Sequence, residues 1–222
     1  MPEPGLEDHI ANLHAGDPRV RRNAAWTLGR TRDPRIVAPL IAALDDDDVD
    51  VRLRAAEALG NLPDEQAVQP LAGVLAGDPD ERVRAQAALS LGRQGDERGV
   101  APLIAALTEA AASVRVAVAE ALGTLPDPRV IPGLVRAMLD DADDNVRHFA
   151  ARSLGYVGGS SVGDALLPVL DGDAPAATKI RVLEVLVNLY ERRAIDAAAR
   201  LVDDADPDLS ATAQWALRRL GE

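Results

Sequence analysis

The sequence predicts an all-α chain built as an α-solenoid, and three observations carry that reading. Hydrophobic residues make up 47% of the chain, but aromatics contribute only 2%. Alanine and leucine dominate, both strong helix formers, and the β-branched and aromatic runs expected of strands are missing. Landmarks also recur at a fixed period. Val-Arg stands at 20–21, 51–52, 83–84, 114–115 and 146–147, with Ile180-Arg181 as a sixth copy. A glycine preceded by leucine follows nine residues after each of the first five valines, at Gly29, Gly60, Gly92, Gly123 and Gly155. Another leucine stands eleven residues beyond each glycine, so the period is 31 or 32 residues. Within each period the apolar positions fall twice at helical spacing, which makes each unit a pair of helices.

The elements follow in order. A leading half-repeat within 5–15 (LEDHIANL, 6–13) is expected to cap the first full pair. Regular repeats fill 17–140. Each first helix runs from Val-Arg through an alanine-rich stretch such as VRLRAAEALG (51–60), burying Val51, Ala55, Ala58 and Leu59. The glycine is read as the left-handed residue that ends it. Asp33-Pro34, Asp64-Glu65, Asp96-Glu97 and Asp127-Pro128 then signal the next helix start. Second helices such as IVAPLIAAL (36–44) follow. Pro39, Pro70 and Pro102 lie about one and a half turns in, where a distorted first turn or slight kink is expected. Residues 143–203 hold divergent repeats, because GGSS at 158–161 replaces the Asp-Pro turn and ERRAIDAAARLV aligns poorly. A closing helix at 207–221 completes about six pairs, and 1–222 reads as a single array.

With these residues on the page, DPRVRRNAAWTLGRTRDPRIVAPLIAAL (17–44) resembles the HEAT-like repeat of the phycobilisome-lyase type, a relative of HEAT and armadillo repeats. The resemblance implies a right-handed α–α superhelix whose second helices line a concave, protein-binding face. It also implies an alternative function, the accessory subunit of a bilin (chromophore) lyase, although nothing in the sequence marks a pigment pocket and Tyr156 and Tyr190 are isolated aromatics at the divergent end. A HEAT-type di-iron hydroxylase needs His-Glu pairs on successive repeats. This chain has no His-Glu dipeptide, and His9, His14 and His148 are scattered.

Charge narrows the function further. Thirty-six acidic residues against 24 basic ones give a net charge of −12. That surface repels phosphate backbones, so nucleic acid is not an expected partner. Aspartate excess with Lys179 as the only lysine resembles proteins of salt-loving organisms. Cysteine is absent, so thiolate chemistry is excluded. The N-terminus lacks a signal-peptide pattern and no stretch is apolar enough for a membrane span, which points to a cytoplasmic protein. No catalytic motif, metal set or cofactor fingerprint stands out. The expected function is therefore a non-enzymatic scaffold or adaptor with another protein as partner. The chain is expected to be a monomer, with self-association as the other option.

Candidate residues follow from register. Asp17, Asp48, Asp80 and Asp143 precede their valines by three, at the N-cap position. Arg21, Arg52, Arg84, Arg115 and Arg147 recur once per repeat, so the two sets are read as an Asp–Arg ladder tying repeats together. Arg35, Gln66, Arg98 and Arg129 share one exposed register at the starts of the second helices. With Gln69 and Arg136 they form an expected basic strip for an acidic partner segment. Trp26 and Trp215 occupy one repeat position in the first and last of the first-type helices, either packing on the caps or anchoring a partner. The run ALDDDDVDVRLRAAE (43–57) has the D-x-D-x-D spacing of a calcium loop from Asp46. Val51 stands where that loop needs glycine and Glu57 lies inside a helix, so Asp45, Asp46 and Asp47 are read as a solvated turn.

Overall fold

The computed structural model describes residues 5–221. All of its regular elements are helical, and the chain divides into two compact units, Met1–Leu125 and Pro126–Glu222. The first unit begins with α1 (Leu6–Asn12) and α2 (Pro18–Leu28). It continues through α3 (Val37–Ala42), α4 (Val49–Asn61), α5 (Glu65–Gly77), α6 (Glu81–Gln94), α7 (Val100–Ala106) and α8 (Ala112–Leu122). First helices pack on one another in the series α2, α4, α6, α8, and second helices in the series α3, α5, α7. Two helical layers therefore face each other across one apolar seam. Leu28, Ile36, Leu40, Leu59, Leu71 and Leu91 lie fully buried in it.

The second unit holds α9 (Ile131–Asp140), α10 (Asp144–Val157), α11 (Ser160–Asp171), α12 (Ala176–Asn188), α13 (Ile195–Arg200) and α14 (Pro207–Gly221). Here α10, α12 and α14 form one layer, and α9, α11 and α13 the other. Each unit is thus an α-solenoid stack of helix pairs. The divergent repeats of 143–203 align with the regular ones through a substitution. Glu191 takes the place of the capping aspartate and accepts from the Arg193 N–H, so Arg193 stands where Arg35 stands.

Capping follows the sequence closely. Asp17, Asp48, Asp80 and Asp143 each accept from backbone N–H groups of the first turn of α2, α4, α6 and α10. Asp33, Asp64, Asp96 and Asp127 do the same for the second helices. The prolines act as expected in two cases. Before α3 and α7 the chain makes a tight 3-10 turn, at Pro34–Ile36 and Glu97–Gly99, so that Pro39 and Pro102 sit just inside the α-helix. Pro70 instead lies within the continuous helix α5.

The repeat glycines need a different explanation from the one the sequence suggested. Gly29 and Gly123 have ordinary right-handed backbone, and Gly60, Gly92 and Gly155 lie inside helices. Positive φ occurs elsewhere, at Gly95, Gly158, Gly159 and Tyr190. What Gly29, Gly60 and Gly92 provide is clearance. A Cβ on Gly60 would stand 2.5 Å from the Ser90 Oγ, and one on Gly29 would stand 2.7 Å from the Ala58 Cβ. On Gly92 it would lie 2.9 Å from Ala121. Successive first helices cross in backbone contact at these points, which only glycine allows.

Candidate functional site

The arginines of the Val-Arg pairs are staples between consecutive turns. The Arg52 Nη1 donates to the carbonyls of Asp46 (2.9 Å) and Asp47 (3.3 Å), in the turn before its own helix. Its Nε and Nη2 donate to Asp78 in the following turn, at 2.7 and 3.1 Å. Arg21 repeats this with the Ala15 carbonyl and Asp46, and Arg84 with the Asp78 carbonyl and Glu109. Arg115 and Arg147 likewise donate to the carbonyls of the turns before their helices. Only the planar five-donor guanidinium can serve both turns at once, which accounts for arginine over lysine at this position.

The capping aspartates are thus not the acids that these arginines grip. That acid stands two residues earlier, as Asp46, Asp78 or Glu109. In Asp46-x-Asp48 the first carboxylate accepts from the Asp48 N–H (2.8 Å) and binds Arg21, while the second caps the helix. Asp78-x-Asp80 repeats the arrangement. Asp46 is therefore not part of a solvated turn. Its side chain is only 11% exposed. Burial pushes its carboxyl up, but Arg21 and the Asp48 N–H outweigh that and hold it below the usual range. The D-x-D spacing was the visible signal for this first acid, and it was obscured by the resemblance to a calcium loop.

In the second unit the staple changes partner. Arg147 turns to Asp144 on its own helix, and Arg181 reaches back to the same carboxylate.

The strip residues all lie on exposed surface, with Arg35, Gln66, Gln69 and Arg98 in the first unit and Arg129 and Arg136 in the second. Three of the arginines fold back onto their own caps. Arg35 grips Asp33, Arg98 grips Asp96 and Arg129 grips Asp127, at 2.7, 2.7 and 2.5 Å. Arg35 also meets Glu7, and Arg98 meets Glu65. An acidic partner segment would have to compete with these carboxylates.

The arginine bonds hold the Asp33 and Asp96 carboxyls near 2, and Arg82 does the same for Asp80. Folded-state values depressed below the ordinary 3.8 stabilise the fold above that pH, and the contribution is lost as pH falls through the folded value. Stability is therefore expected to be level above about pH 4 and to fall between about pH 4 and pH 2. Thermal melts across that range check it.

Trp26 is 47% exposed and carries the Arg30 guanidinium 4.9 Å from its ring centre, while Trp215 is partly buried on α14. Tyr156 and Tyr190 are exposed in the second unit. Among the described residues, no group of three or more His, Cys, Asp or Glu gathers to hold a metal ion, and no helix is long and apolar enough to cross a membrane.

Comparison with known proteins agrees with this architecture. The chain is similar to one in the complex of CpcE and CpcF of phycocyanin lyase from Nostoc sp. PCC7120. The match covers 99% of this chain and 96% of that one, at 28% identity and a TM-score of 0.63. Human deoxyhypusine hydroxylase, solved with glycerol, shares 19% identity over 97% of this chain and 96% of its own, at a TM-score of 0.51. An engineered protein shares 22% over 97% and 68%, at 0.58. The last two likenesses speak to the fold alone. No curated protein matches. The model of the PBS lyase HEAT-like repeat matches residues 146–172, and that of HEAT repeats matches 6–90 and 74–155. The chain, whose arginines staple consecutive turns and whose helix starts are capped mainly by aspartate, belongs to the HEAT-repeat family.

Proposed function

We propose that this chain is a protein-binding accessory subunit, acting through association with a second protein in the manner of the subunits of chromophore-lyase assemblies. One observation carries this reading: the near full-length match to a chain of a two-protein lyase complex, at 28% identity. The PBS lyase repeat in the second unit supports it further. A second reading, a plain scaffold or adaptor without a chromophore, is favoured by how fully the conspicuous charged residues are used in holding repeats together. Incubation with a linear tetrapyrrole separates the two. A new visible absorbance band on the chain or on its captured partner supports the lyase-type role, and colourless stoichiometric capture supports the adaptor.

Within the first unit, Arg35 and Arg98 with Gln66 and Gln69 are the proposed contact for an acidic segment of that partner. Arg35→Glu with Arg98→Glu would place new carboxylates beside Asp33, Glu7, Asp96 and Glu65. The double variant is expected to abolish partner capture in an affinity pull-down while its thermal midpoint stays within a few degrees of wild type. Unchanged capture would remove the strip from the interface.

A further inference from the structure

The face built by α3, α5 and α7 is cut by three clefts that recur with the repeat. Pro39 lines the first, Pro70 the second and Pro102 the third, and their volumes are about 370, 600 and 310 Å³. The floors are made of small residues in matching register: Ala42, Gly73 and Ala105. Asp45, Asp46 and Asp47 form the ridge between the first two clefts and line both, and Glu109 borders the third. Arg21 already occupies Asp46. Asp45 and Asp47 are exposed, and neither lies within ion-pair distance of a cation among the described residues.

We infer that these clefts are a docking surface for an extended, basic and aliphatic segment of a partner protein. The inference rests on the protein-binding reading above and names the class of segment this face takes. Charge selects the sign, because the ridge presents unpaired carboxylates on a chain of net charge −12. Shape selects the rest. Packed helices stand roughly 8–10 Å apart, and an extended polyproline-type segment advances about 9 Å in three residues. Every third side chain of such a segment would fall over a successive cleft. Aliphatic side chains would enter the small-residue floors, and arginines between them would reach Asp45 and Asp47.

A fluorescent peptide, Leu-Arg-Pro-Leu-Arg-Pro-Leu, tests this by anisotropy against the full chain. It is expected to bind about tenfold tighter than Gly-Arg-Pro-Gly-Arg-Pro-Gly or Leu-Gln-Pro-Leu-Gln-Pro-Leu. Asp45→Asn with Asp47→Asn is expected to weaken binding about tenfold, as is Gly73→Leu, which fills the second cleft. A Cβ on Gly73 meets nothing within 4 Å, so that variant has room to fold, and a melting midpoint no lower than that of the unsubstituted chain checks that it has. Equal binding of the glycine peptide would overturn the inference, since charge alone would then explain association. Wild-type affinity in the Asp45/Asp47 double variant would overturn it as well. So would a Gly73-dependent self-association without peptide binding, or calcium binding at the ridge in its place. If these variants still capture the natural partner, the clefts are excluded while the protein-binding reading stands.

Discussion

Asp78→Ala is expected to lower stability by about 3 kcal/mol, the scale set by removing one member of a buried ion pair. The Asp78 side chain is 4% exposed and its partner Arg52 only 12%. The substitution deletes two charge-assisted bonds to Arg52 and the acceptor for the Asp80 N–H. It leaves a guanidinium in a site largely closed to water, held only by two carbonyls of the preceding turn. Exchanging Asp78 for asparagine keeps an acceptor for the Asp80 N–H and is expected to cost less, about 2 kcal/mol. Chemical denaturation at two salt concentrations checks both. A loss below about 0.5 kcal/mol would mean that the staple behaves as an exposed surface pair.

Gly60→Ala is expected to destabilise by about 2–3 kcal/mol, although alanine is the better helix former by about 1 kcal/mol. The new methyl would stand 2.5 Å from the Ser90 Oγ and 3.0 Å from its Cα, so helices α4 and α6 must move apart. Ser90 also donates to the Ala56 carbonyl at 2.7 Å, and that buried bond would be strained or broken. Two comparisons isolate the cause. Ser90→Gly should recover much of the loss in the double variant, giving a non-additive cycle. Gly73→Ala, where the space is open, should stabilise by about 0.5–1 kcal/mol. Equal effects at Gly60 and Gly73 would remove the close-approach argument.

These two residues show where the sequence was informative and where it was not. Helix starts were legible because a capping aspartate acts on N–H groups two or three residues away, as Asp48 does on Asp50 and Val51. Gly60 was legible as a landmark but not in its purpose, since its neighbour Ser90 lies thirty residues on and local rules suggest a left-handed cap. Asp78 and Asp46 were hidden for the same reason, because the arginine each one grips lies about a repeat earlier. The strip arginines lie on the surface, and their bonds to Asp33, Asp96 and Asp127 depend on side-chain conformations that register alone does not specify. Glu191 escaped notice because one extra methylene hid an aspartate's role.

A chain that works through a protein partner reveals it in the mass of the species it forms in native lysate. Tagged chain recovered at low and high salt would be weighed by native mass spectrometry. A discrete complex is expected, heavier than the 23.4 kDa chain and containing one second protein at fixed stoichiometry. Recovery of the 23.4 kDa chain alone, or of its own oligomers alone, at every salt concentration would contradict it.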